Sequence, residues 1–128
     1  MSNLINLLDT YKGEKRELYP LTPSQMGVYL SCMHNPKGTM YNIPCTYVFD
    51  SGSLDTDRLI NAVRKAVDNH PVMKIFIDSS TGSPMMKPRD SVEFDIPVVQ
   101  VNNLEQAGKD FVKPFDLEKD ILFRFAVF

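Results

Sequence analysis

Histidine, cysteine, serine and tyrosine are the side chains of this 128-residue chain best suited to acid–base or nucleophilic work, and few of them are spaced to act together. Cys32, His34 and Cys45 offer three ligands to a metal ion, but a closed tetrahedral site needs four and no second paired spacing supplies another. Two reduced thiols in a packing role are the simpler reading of Cys32 and Cys45. His34 falls in the last turn of a helical pattern, where a protonated ring is favoured by the helix dipole. His70 directly precedes Pro71 at a helix-to-strand corner, where an imidazole can cap or bond nearby backbone. No phosphate-cradling glycine loop, nucleophile elbow, HExxH or paired-cysteine zinc spacing is present. The residues therefore supply no independent catalytic site.

The elements that would position these groups can be read from periodicity and punctuation. Residues 1–18 join a short apolar cluster to a charged stretch and are expected to be a flexible leader. Thr22 can cap a helix, Pro23 suits its first position, and Gln25 stands where a capping box needs it, so a helix is predicted from Pro23 to about His34. Its apolar stripe is Met26, Tyr29, Leu30 and Met33. Tyr41 to Phe49 alternates with period two and is predicted as a strand, with an edge or bulge at Pro44. After a turn at Ser51-Gly52-Ser53, Asp55 caps a second helix whose stripe is Leu59, Ala62, Val63, Ala66 and Val67, ending near His70 because Pro71 follows. Val72 to Asp78 is predicted as a strand, 79–84 as a polar hairpin-like loop, and Met85-Met86-Lys87 as a return segment. A strand over Phe94–Val101 broken by Pro97, a helix over Leu104–Phe111 closed by Pro114, and a strand over Ile121–Phe128 complete the pattern. Helices interleaved with strands imply a mixed α/β, two-layer structure, that is, α+β in character.

Three segments, in order, resemble the condensation domain of nonribosomal peptide synthetases. Leu18-Tyr19-Pro20-Leu21-Thr22-Pro23-Ser24-Gln25 with Met26-Gly27-Val28-Tyr29 is similar to the first family motif. Leu54-Asp55 through Asn69-His70-Pro71-Val72-Met73-Lys74 is similar to the second, with Lys74 where the family commonly has Arg and Ile75 where it often has Thr. Pro114-Phe115-Asp116-Leu117 to Ile121-Leu122-Phe123-Arg124 resembles the "PFDL…LLR" element. The resemblance implies that residues 19–128 are the N-terminal lobe of a chloramphenicol acetyltransferase-like fold. It also implies an enzyme that forms an amide bond between a donor and an acceptor carried as thioesters on phosphopantetheine arms. Peptidyl carrier proteins and downstream synthetase domains would be its partners, with no cofactor bound directly.

On this resemblance the first helix borders the substrate channel, so Ser24, Gln25 and Tyr29 are candidate channel residues, with helix capping and core packing as the competing roles. Thr22, Pro23, His70, Lys74, Asp116 and Arg124 are expected to serve the motifs structurally. The family's HHxxxDG motif, whose second His assists amide formation, is not in this sequence, so the chain alone is expected to be inactive. A stand-alone, non-catalytic domain that binds a carrier protein or synthetase module is the rival reading.

Composition bounds the partners. A net charge of -2, with 14 basic and 16 acidic residues interspersed, gives no footprint for nucleic acid. No membrane-spanning or signal-like stretch is apparent, and a cytoplasmic location is expected. The apolar Ile121–Phe128 strand is expected to offer its free backbone groups to a second copy of the chain.

Overall fold

The structure is a computed structural model, and it describes residues 18–50, 52 and 54–128. All of the expected leader except Leu18 lies outside the described residues, as do Ser51 and Ser53 of the predicted turn. In chain order the elements are β1 (Tyr19–Pro20), α1 (Pro23–His34), α2 (Thr56–Asn69), a 3-10 turn (Pro71–Lys74), β2 (Ile75–Asp78), β3 (Met85–Pro88) and α3 (Leu104–Phe111). The three strands form one antiparallel sheet in the order β1-β3-β2. The architecture is small and mixed α/β, as the alternation of patterns predicted.

Each helix begins where a side chain can accept its free N–H groups. Thr22 Oγ1 accepts from the Gln25 backbone at 3.3 Å while Gln25 Oε1 accepts from the Thr22 backbone at 2.8 Å, a complete capping box. Asp55 caps α2 through the Arg58 N–H at 2.9 Å, and Asn103 caps α3 through the Gln106 N–H at 3.0 Å. The hairpin between β2 and β3 is set by the Asp78 carboxylate, which accepts from the Ser80 N–H, and by Gly82, whose φ of 87° suits a residue without a Cβ.

The sheet register places Met86, in the middle strand, between Tyr19 on β1 and Ile77 on β2. Pro20 lies on the edge strand, where a missing donor costs no ladder bond. Among the described residues the buried apolar side chains are Tyr29, Val67, Ile77 and Ile96. Burying Val67 completely is worth about 1.5–3 kcal/mol. Val67 closes the inward face of α2, with Leu59, Ile60 and Val63 half-buried beside it; Ala62 and Ala66, predicted on this stripe, face solvent.

Several expectations are corrected by the structure. On α1 only Tyr29 of the predicted stripe is buried; Leu30 and Met33 are 58% and 49% exposed. The 3-10 turn takes up Pro71–Lys74, so the strand predicted from Val72 begins at Ile75. Tyr41–Phe49 forms no strand, and Phe94–Val101 and Ile121–Phe128 meet in a single parallel bridge, Val98↔Val127. Val127 donates to the Pro97 carbonyl at 2.9 Å and accepts from the Val99 N–H at 2.8 Å. The shared reason is that alternation specifies a face, whereas a strand also needs a neighbour. Pro44 and Pro97 each remove a donor, and among the described residues no strand lies alongside. Aromatic packing holds the carboxyl-terminal half instead: Phe94 meets Phe123 edge to face at 5.0 Å, and Phe111 meets Phe128 at 5.9 Å.

Candidate functional site

The residues singled out in the sequence fall into three clusters, and short polar contacts tie two of them to the sheet. At the start of α1, Ser24 is exposed, whereas Gln25 is engaged. Its Oε1 closes the capping box and its Nε2 donates to Met86 Sδ at 3.6 Å, joining the helix to β3. One turn on, the buried Tyr29 hydroxyl donates to Glu118 Oε1 at 2.9 Å, and Ser79 Oγ donates to the same oxygen at 2.5 Å. Burial, and then the adjacent Glu118 carboxylate, push the Tyr29 phenol above its ordinary range, so it is a neutral donor at physiological pH.

The second cluster is the corner after α2. A carbonyl can only accept, so the contact of 2.6 Å between His70 Nδ1 and the Ala66 carbonyl places the proton on Nδ1. The His70 backbone N–H donates to the Val67 carbonyl, and Lys74 Nζ donates to the Asp68 and Asp90 carbonyls at 3.0 Å each. Three successive carbonyls at the end of α2 are thus satisfied by His70 and Lys74. A compact ammonium with freely directed donors suits two separate carbonyls, so this geometry does not call for a planar guanidinium at position 74.

The third cluster is the loop 113–124. Arg124 donates to the Lys113 and Pro114 carbonyls at 2.8 and 2.9 Å, lies 3.7 Å from the Asp120 carboxylate, and stacks 3.8 Å above the Phe115 ring centre. Asp116 accepts from the Glu118 backbone at 3.1 Å and pairs with Lys119 at 3.2 Å, and these contacts, in that order, hold its carboxyl below the usual range. The Leu117 carbonyl accepts from the Ile77 N–H, docking the loop on the free edge of β2.

Pro114-Phe115-Asp116-Leu117, Pro71 to Lys74 and Leu18 to Gln25 therefore surround one small sheet. A family model described as "Condensation domain" matches residues 15–128. The chain belongs to the condensation-domain family. Among curated proteins it is similar to bacitracin synthase 3 of Bacillus licheniformis, with 32% identity over 115 residues, 88% of this chain and 2% of that protein. It is also similar to bacitracin synthase 2 of the same organism, 30% identical over 118 residues, 91% of this chain and 4% of that protein. Surfactin synthase subunit 2 of Bacillus subtilis (strain 168) is 27% identical over 108 residues, 83% of this chain and 3% of that protein. The chain spans only these small fractions of the synthetases it matches.

Within this condensation-domain chain, the site residue that motif reading missed is Glu118. Its only sequence signal is its place two residues after Asp116 in an otherwise matched segment. Glu118 connects the first and third motifs through Tyr29 and reaches the β2–β3 turn through Ser79. No histidine stands within this network, so Ser79 has no imidazole to activate it. Cys32 and Cys45 are free thiols, and no group of three or more potential metal ligands comes together among the described residues. A shallow cleft of about 230 Å³ among Phe94, Phe111, Phe123 and Phe125 falls below the ordinary range of ligand sites, about 300–1,000 Å³. No described helix is long and apolar enough to cross a membrane.

Proposed function

We propose that residues 19–128 serve as the first lobe of a chloramphenicol acetyltransferase-like condensation domain, in an enzyme that joins a carrier-bound acyl or peptidyl donor to a carrier-bound aminoacyl acceptor. The observation that carries this reading is the ordered set of family segments gathered around one sheet by Gln25–Met86, Tyr29–Glu118–Ser79 and Ile77–Leu117. In such an enzyme both reactants are tethered, and much of the rate comes from holding the amine against the thioester carbonyl. This lobe's contribution is then positional. Ser24, with its hydroxyl exposed at the helix start, is the residue of the three expected channel residues best placed to meet a phosphopantetheine arm. Gln25 and Tyr29 fix the helix that presents it.

Proton handling in the condensation family is credited to a histidine of HHxxxDG, and this sequence contains no such motif. The lobe alone is therefore inactive in this reading, and it works in the cytoplasm beside carrier proteins and further synthetase domains. The test incubates the chain with donor- and acceptor-loaded carrier proteins and follows dipeptidyl thioester by mass spectrometry. No product is expected above the carrier-only background. Robust turnover overturns the reading; saturable carrier binding without turnover that Ser24→Ala leaves unchanged favours a pure interaction domain instead.

A further inference from the structure

The loop 113–124 carries three acids, Asp116, Glu118 and Asp120, and three bases, Lys113, Lys119 and Arg124. Lys119 pairs with Asp116 at 3.2 Å and Arg124 lies 3.7 Å from Asp120, while among the described residues no cation comes within ion-pair distance of Glu118. Glu118 instead sets one oxygen between two hydroxyls from elements distant in sequence, Tyr29 of α1 and Ser79 of the β2–β3 turn. A carboxylate held this way acts as an acceptor, and its effect is geometric: it governs how α1 sits against the turn.

Little else holds α1. Tyr29 is its only buried side chain, and two side-chain hydrogen bonds tie it to the sheet and to the loop 113–124. One is the contact of 3.6 Å between Gln25 Nε2 and Met86 Sδ, to a weak sulfur acceptor. The other is the 2.9 Å bond from Tyr29 to Glu118. Gln25 and Tyr29 are an i, i+4 pair on one face of the helix, and Ser24 points about 100° round from Gln25. The two bonds therefore fix the roll of α1, and the roll decides where Ser24 points. A roll of about 15° carries a hydroxyl about 4 Å off the axis through about 1 Å, a displacement large enough to spoil a positioned contact. We propose that Glu118 is a positioning residue for the substrate arm: by holding Tyr29 and Ser79 together it fixes α1, and with it the direction in which Ser24 meets phosphopantetheine. This role rests on the first-lobe reading above.

The test titrates the isotope-labelled chain with phosphopantetheine and follows the Ser24 amide resonance by NMR, with circular dichroism to confirm that each variant is folded. The native chain is expected to bind saturably. Ser24→Ala and Glu118→Ala are each expected to weaken binding about tenfold, and the double variant no further, because Glu118 acts through Ser24. Glu118→Gln keeps an oxygen that can accept from both hydroxyls and is expected to bind within about threefold of the native chain. Val67→Ala opens the buried face of α2 and destabilises the fold away from α1, so it is expected to leave the affinity unchanged. Affinity that survives Glu118→Ala overturns the positioning role while the first-lobe reading stands. Additive losses in the double variant, an equal loss in Val67→Ala, or no recovery in Glu118→Gln do the same. A native chain whose Ser24 resonance is indifferent to phosphopantetheine overturns the reading and this role together.

Discussion

Replacing Glu118 with alanine tests whether the first and third motifs are mechanically joined. The substitution removes one carboxylate oxygen that accepts from Tyr29 at 2.9 Å and from Ser79 at 2.5 Å. Hydrogen bonds to a charged acceptor contribute about 1.5–3 kcal/mol each, and a buried donor left without a partner costs about 1–3 kcal/mol. Tyr29 is only 8% exposed and meets the second condition, whereas Ser79 can turn to water. The expected loss is therefore about 2–4 kcal/mol, which for a domain of this size lowers the Tm by about 10 °C or more. Tyr29→Phe deletes the donor without opening a cavity and is expected to cost about 1–2 kcal/mol. Urea unfolding of the two single variants and the double variant gives the coupling, expected at about 1–2 kcal/mol. Additivity to within about 0.3 kcal/mol would show that the two residues do not interact, and the joining of α1 to the 113–124 loop would have to be abandoned. A pH scan checks the same contact independently. The folded protein holds the Tyr29 proton more tightly than the ordinary phenol value of 10.0, so the stabilisation is complete below that pH and is lost as pH rises through the raised value. Tyr29→Phe should abolish that alkaline component.

Three further outcomes follow from the same geometry. Lys74→Ala uncovers the Asp68 and Asp90 carbonyls and should destabilise the chain by about 1–2 kcal/mol in urea, while Lys74→Arg, which can still donate, should recover most of it. Arg124→Lys keeps the charge but gives up the two-carbonyl fork and the flat stack on Phe115, so amide exchange in residues 114–120 should accelerate while α2 stays protected. Asp78 and Asp116 are both held below 3.8, chiefly by hydrogen bonds from Ser80 and Glu118 respectively. Their contribution is present above 3.8 and fades as pH falls through the lowered values, so the double variant Asp78→Asn, Asp116→Asn should flatten the acid limb of a stability–pH curve.

Much of the local structure was legible because its causes lie within a few residues. The Thr22–Gln25 capping box, the Asp55 cap, the end of α2 before Pro71 and the glycine turn at Gly82 each depend on neighbours in sequence, and each stands where the pattern placed it. The family itself was readable from short motifs in fixed order, and the match over residues 15–128 agrees. The roles of His70 and Lys74 were only half legible. Helix-end position suggested capping, but that Lys74 would bridge the Asp68 and Asp90 carbonyls depends on where the chain passes after β3.

What the sequence could not decide is which patterned segment finds a neighbour. Tyr41–Phe49 and Ile75–Asp78 both carry strand-like residues, yet only the second pairs, because the turn at Gly82 brings Met85–Pro88 back against it. Glu118 shows the same dependence. In sequence it is one more charge after Asp116, and it becomes a junction only when the docking of Leu117 on Ile77 brings it to Tyr29 and Ser79. Caps and turns are short-range and so were set by the residues alone, whereas which side of a helix is covered was not, as the exposed Leu30, Met33, Ala62 and Ala66 show. Ladders and shared carboxylates require groups distant in sequence to meet, and only the tertiary structure chose which of them do.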